Sequence, residues 1–143
     1  MIAGALYRLF AEDSGALAVS IRSRLADYKS VKAIFTAELP EDAPFPAILI
    51  SVVSSPAWGT RGQAGAIFSL DVQVFGSKTR SRKDQWALAE DCWKLVNRNS
   101  LATYLSEAGW QNFGLQAEAP LNTQEGLGFP GYTIRGRLHA LKT

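Results

Sequence analysis

From Ile67 to Phe75 the chain alternates strictly, with Phe68, Leu70, Val72 and Val74 set against Ser69, Asp71 and Gln73. Successive side chains on a β-strand point to opposite faces. A period of two therefore predicts a strand with one face in a core and the other in water. A strand of that kind needs a sheet around it and a layer over one face only. The segment Ala47 to Val53 supplies a neighbour. It is nearly all apolar and mostly β-branched, interrupted only by Ser51, and its lack of alternation predicts a central strand covered on both faces.

The covering layer is predicted to be helical. A helix from about Arg82 to Arg98 carries Trp86, Ala89, Trp93 and Val96 at three- and four-residue steps, a bulky stripe expected to pack on the sheet. Ser81 and Asp84 resemble a capping box at its start, with Asp in place of the usual Glu. A shorter helix, Leu101 to Ala108, stops at Gly109, a residue suited to the left-handed position after a helix. Residues 1–28 read as two helices. Leu6, Leu9 and Phe10 mark one, Leu17, Ile21 and Leu25 the other, and Glu12-Asp13-Ser14-Gly15 separates them with Ser14 as the expected N-cap.

Three further strands complete the pattern. Val31 to Leu39 is expected to be a short strand, followed by a loop at Pro40-Glu41-Asp42-Ala43-Pro44. Trp110 to Ala119 should turn Phe113, Leu115 and Ala117 inward, and Tyr132 to Leu141 should do the same with Tyr132, Ile134, Leu138 and Ala140. The expected fold is therefore α+β. Residues 1–143 form one domain, a mixed and mainly antiparallel sheet with N-terminal helices and one long helix packed on it. At 143 residues such a domain can bury a core without staples.

Two connections are too long for simple turns, Ser54–Gly65 and Pro120–Gly131. They carry Trp58, Leu127 and Phe129, apolar groups seldom exposed on isolated loops, and Arg61 lies in the first of them. Trp58, Arg61, Leu127 and Phe129 are the candidates for contacts between subunits. Both loops are expected to be poorly packed in a lone subunit and to order against a neighbour.

The residues offer little chemistry. His139 is the only histidine and Cys92 the only cysteine, so neither a two-histidine metal site nor an intramolecular disulfide can form. Cys92 lies in mid-helix between Asp91 and Trp93, where a small buried thiol is the expected role. The acidic pairs Glu12-Asp13, Glu41-Asp42 and Glu90-Asp91 are adjacent in sequence and point apart, as solvated charges do. The glycines at 126, 128 and 131 lack the following helix and the lysine of a phosphate-binding loop. No catalytic residue, cofactor or metal is expected.

Fifteen Lys and Arg against thirteen Asp and Glu give a net charge of only +2, too mild to indicate nucleic-acid binding by itself. Two basic groups stand out within that balance. Lys78, Arg80, Arg82 and Lys83 cluster before the long helix, while Arg135, Arg137 and His139 alternate on the outward face of the last strand. They are read either as solvated, edge-protecting charges or as a positive surface facing a polyanion. The segment Met1 to Leu6 lacks the basic start of a signal peptide, and no apolar run approaches the roughly 20 residues that span a bilayer. A protein neither secreted nor membrane-spanning is expected.

The order of parts across nearly the whole chain resembles the tail completion, or tail terminator, proteins of long-tailed bacteriophages and phage-derived particles. N-terminal helices lead to a strand and an acidic, proline-containing loop. Pro44-Phe45-Pro46 then runs into Ala47-Ile48-Leu49-Ile50-Ser51, followed by Trp58-Gly59-Thr60 and the strand ending Val72-Gln73-Val74-Phe75. The helix with Trp86, a Gly-rich loop and Arg137-Leu138-His139-Ala140 complete the order. The resemblance implies a non-enzymatic subunit that forms a ring, sixfold by tail symmetry, capping the tail tube and joining it to the head connector. Its implied partners are copies of itself, the major tail tube protein and the connector. DNA would pass through the lumen without sequence-specific contact, with Lys78, Arg80, Arg82, Lys83, Arg135 and Arg137 as candidate lumen-facing residues. The implied location is the virion, and the host cytoplasm during assembly. A head–tail connector of the neck and a small-ligand binding module are the alternatives.

Overall fold

The structure, a computed structural model, describes residues 2–54, 58–60, 63–76, 82–97, 100–123 and 131–142. Two helices open the chain, α1 (Ile2–Glu12) and α2 (Ala16–Ser23). The N-cap of α2 is Gly15, with no side-chain cap, so the expected cap at Ser14 is not formed. The corner is closed differently. Asp13 Oδ2 accepts from the Gly15 amide at 3.2 Å, and Arg22 donates to the carbonyls of Phe10 and Asp13 at 2.9 and 2.7 Å. A guanidinium thus satisfies the carbonyls left over where α1 ends.

The expected strand at Val31–Leu39 divides in two. β1 (Asp27–Tyr28) and β2 (Val31–Lys32) form a separate two-stranded hairpin, and only β3 (Ile34–Thr36) joins the main sheet. Left-handed backbone at Lys29 and Ser30 (φ 48° and 75°) makes the hairpin turn, and Ala37 at φ 71° ends β3. Three β-branched or aromatic residues in a row gave no hint of those breaks.

The main sheet adds β4 (Ala47–Ser54), β5 (Trp58–Thr60) and β6 (Gln63–Phe75). After α3 (Arg82–Val96) and α4 (Ser100–Glu107) come β7 (Trp110–Ala117), β8 (Leu121–Thr123) and β9 (Gly131–Lys142). The order is β3-β4-β6-β9-β7, with β5 beside β6 and β8 beside β9. Only β3 and β4 run parallel; the other ladders are antiparallel. The fold is α+β, with four helices set against a curled, mixed sheet.

One face of that sheet makes the core. Ile48, Ile50, Phe68, Leu70, Val72, Val74, Ile134, Leu138 and Ala140 pack in one cluster with residues of all four helices. The alternation in β6 falls as expected: Phe68, Leu70, Val72 and Val74 are buried while Ser69 is exposed. Leu138 and Ile134 of β9 are buried as well. Residues on the helices and strands are thereby held by the same apolar contacts.

Two expectations about faces are corrected. β4 is interior to the sheet but not covered on both sides: Ile48 and Ile50 are fully buried, whereas Val53 is 65% exposed. Its outward neighbours on β6 change from Phe75, opposite the buried Ala47, to Asp71 and Ser69, so the cover is lost toward the end of the strand. In α3 the buried face is Gln85, Leu88, Ala89, Cys92, Leu95 and Val96, while Trp86 is 40% exposed and Trp93 half-buried. Those six positions recur at three and four residues. The expected stripe shares Ala89 and Val96 with this face, and its two tryptophans lie along the border. Both tryptophans still find partners. Trp86 meets Tyr132 edge-on with ring centres 5.5 Å apart, and the Trp93 indole donates to the Ala117 carbonyl at 3.0 Å.

The long connections are also shorter than they read. Trp58–Thr60 pairs with Gln63–Gly65, and Leu121–Thr123 pairs with Gly131–Thr133, so parts of both loops fold back as hairpin arms of the sheet. Strands of three residues leave too short a pattern to detect. The expected end of α4 holds: Gly109 takes φ 88°, open to glycine and strained for other residues.

Candidate functional site

Strand register builds the site on the face that the helices leave open. β6, β9 and β7 run side by side, with Ser69 opposite Arg137 and Arg137 opposite Gln116. Two residues further along, Asp71 lies opposite Arg135, and the Glu118 amide donates to the Arg135 carbonyl at 2.8 Å. Two cross-strand rows result, Ser69–Arg137–Gln116 and Asp71–Arg135–Glu118. Val53 of β4, opposite Ser69, extends the first row with an exposed apolar side chain.

These residues line an open groove of about 500 Å³. Gly136, between the two arginines, points to the inner face. A Cβ there would come within 3.2 Å of the Gln116 carbonyl oxygen, so glycine lets β7 lie close against β9. Arg135 Nε stands 3.8 Å from Asp71 Oδ1, with both side chains about half exposed. Such an exposed pair contributes at most about 1 kcal/mol. Among the described residues Arg137 forms no ion pair; its cross-strand neighbours are a hydroxyl and an amide.

Balanced charge follows from that arrangement. The lining holds two guanidinium groups, Arg135 and Arg137, and two carboxylates, Asp71 and Glu118. Reading the last strand alone shows only the cations. The acids belong to β6 and to the end of β7, and pairing brings them in. A signal was present in the sequence, since Asp71 occupies an outward position of the alternating strand.

The other basic group lies elsewhere. Lys83 is exposed in the first turn of α3, which belongs to the helical layer packed on the opposite face. The backbone of Arg82 opens that helix, and its side chain, with Lys78 and Arg80, lies outside the described residues. Lys83 and the Arg135–Arg137 pair therefore do not share a face. Of the interface candidates, Trp58 is placed by its backbone in β5, while Arg61, Leu127 and Phe129 lie outside the described residues. The same is true of Ser81.

Cys92 is fully buried on the core side of α3, and burial pushes its thiol far above the ordinary range. A thiol held neutral in this way is a poor nucleophile. His139 lies on β9 opposite Ile67 and Gly114, remote in register from any arrangement with Cys92. Among the described residues no group of three or more His, Cys, Asp or Glu stands together as metal ligands do. No helix among them is long and apolar enough to cross a membrane.

A second polar cluster joins the helices. Tyr104 of α4 donates to Asp13 Oδ1 at 3.0 Å, and the Arg8 guanidinium lies 5.1 Å from the centre of the Tyr104 ring. Desolvation, then the hydrogen bond to Asp13, raises the Tyr104 phenol above its ordinary value. Arg24 of the α2 C-cap pairs with Asp91 of α3 at 2.6 Å. These contacts tie helix to helix. No family model matches the chain, and no curated protein sequence matches it.

Proposed function

We propose that the chain is a structural, non-enzymatic subunit of a phage-type tail, forming a ring that caps the tail tube and joins it to the head connector. The reading rests on the order of parts along the sequence. Its main structural support is a sheet closed by helices on one face and open along the middle of the other. A head-to-tail ring requires two unlike surfaces on each subunit, and such a sheet offers them. The hairpin arms β5 and β8 flank β6 and β9 and extend the surface a neighbour can grip. The partners are further copies of the chain, the tail tube protein and the connector, and DNA passes through the ring without sequence-specific contact.

A neck connector would use the same two surfaces. The ligand-module reading draws only on the groove, whose open and charged lining lacks the apolar walls typical of small-molecule sites. The test is disruption of the gene in a host that produces the particles, followed by electron microscopy. Tails of uncontrolled length, detached from heads, are the expected result. Tails of normal length joined to heads would overturn the reading.

A further inference from the structure

The groove on the open face has a charge pattern specific enough to say what fits it. Arg135 is flanked by Asp71 on β6 and Glu118 beyond β7, so its row runs acid–base–acid. The adjacent row runs hydroxyl–guanidinium–amide through Ser69, Arg137 and Gln116, three hydrogen-bond donors side by side. A carboxylate placed over Arg137 can accept from all three. In the other row Arg135 pairs with Asp71, and among the described residues Glu118 is the carboxylate left open to a cation.

The spacing of the rows decides between ligands. They are two residues apart along each strand, about 6.6–6.8 Å. An extended peptide repeats its side chains on one face with the same period, so residues i and i+2 of such a segment meet successive rows. A nucleic acid does not match. Duplex DNA carries one negative charge per roughly 1.7 Å of its axis, and phosphates seated on Arg137 would bring others over a row that holds two carboxylates to one guanidinium. Diagonal neighbours on a sheet lie about 7–8 Å apart, inside the Debye length of about 8 Å at physiological salt, so that repulsion is not screened away.

We propose that this groove is a docking site for an extended protein segment that presents a carboxylate over Arg137, Ser69 and Gln116 and, two residues on, a lysine or arginine that reaches Glu118. Arg135, paired with Asp71, leaves Glu118 as the acid available to the segment. Arg135 and Arg137 are thereby assigned to a protein neighbour and not to DNA. The inference rests on the groove alone and stands whether or not the chain caps a tail.

The test is an amide-resolved NMR titration of the whole chain with three probes. One is a short blocked peptide of threonines carrying an aspartate and, two positions later, a lysine. The second is the same peptide with both charges replaced by lysine, and the third is a short DNA duplex. The mixed peptide is expected to shift the amides of Ser69, Asp71, Gln116, Glu118 and Arg137 in a saturable way, and the other two probes to leave them in place. Arg137→Gln should weaken the mixed peptide roughly two- to fivefold, the effect of losing one exposed ion pair, and Glu118→Gln should weaken it by a similar or smaller factor. A well-dispersed spectrum shows that each variant is folded, and the titration of the unaltered chain decides the matter if one is not. No shift with the mixed peptide, or tighter binding of the duplex at the same amides, would overturn the assignment. Failure of ring formation with intact peptide binding would instead count against the tail role alone.

Discussion

The two faces of the sheet are made by the same strands and share almost no chemistry. On β9, Leu138 is fully buried against the helical layer, and its chain neighbour Arg137 is exposed in the groove. On β6 the same holds for Leu70 and Ser69. The covered face gains its stability from apolar area removed from water. The open face gains little within the chain, since the Arg135–Asp71 ion pair upon it is long and half exposed. Stability and recognition are thus separated by the period of a strand, and a substitution on one face should leave the property of the other untouched.

The largest effect tests that separation directly. Leu138→Ala is expected to lower unfolding free energy by about 2–5 kcal/mol, the range for truncating a buried leucine, whereas Arg137→Gln stays within about 0.5 kcal/mol. Chemical denaturation of the two variants compares them, and similar losses would break the two-face account. Cys92→Ser places a hydroxyl among apolar residues on the buried side of α3 and should cost about 1–3 kcal/mol. In the unaltered protein Cys92 should react with a thiol reagent only at the rate of unfolding, and fast labelling of the folded chain would contradict the position of α3. Gly109→Ala should cost about 1 kcal/mol, because φ 88° is strained for alanine while alanine also restrains the unfolded chain.

The smallest effect concerns pH and the helix junction. Tyr104 has its phenol raised above the unfolded value, so it binds its proton more tightly when folded. Its contribution is complete below the ordinary tyrosine value of about 10 and is lost as pH rises through the higher folded value. Denaturation at neutral and at alkaline pH should therefore show a decline that Tyr104→Phe reduces. An unchanged decline in the variant would remove Tyr104 from the account.

Sequence patterns were most legible where burial is one-sided and the element is long. The alternation of β6, the inward set of β9 and the stop at Gly109 could each be read from the chain, because each expresses a single local rule. The helix face of α3 was read in part: Ala89, Cys92 and Val96 are buried as expected, while weighing the size of Trp86 and Trp93 hid the period that also takes in Leu88 and Leu95. β5 and β8 escaped notice since three residues establish no period, and the split of Val31–Leu39 depends on left-handed turns at residues other than glycine. In the groove, the cations were legible and their acidic neighbours were not. Asp71 and Glu118 are 47 positions apart in the chain and meet only through the ladders of β9. Register is a property of the folded sheet, and it converts a basic strand into a neutral, patterned surface.

The central claim is that the open face carries the protein's work while the covered face carries its fold. Charge reversal at Arg137 tests it most directly, scored by the fraction of tails of normal length joined to heads alongside the melting temperature of the isolated chain. The account predicts that Arg137→Glu leaves melting unchanged and sharply reduces joined particles. Normal joining by a folded Arg137→Glu chain would contradict it.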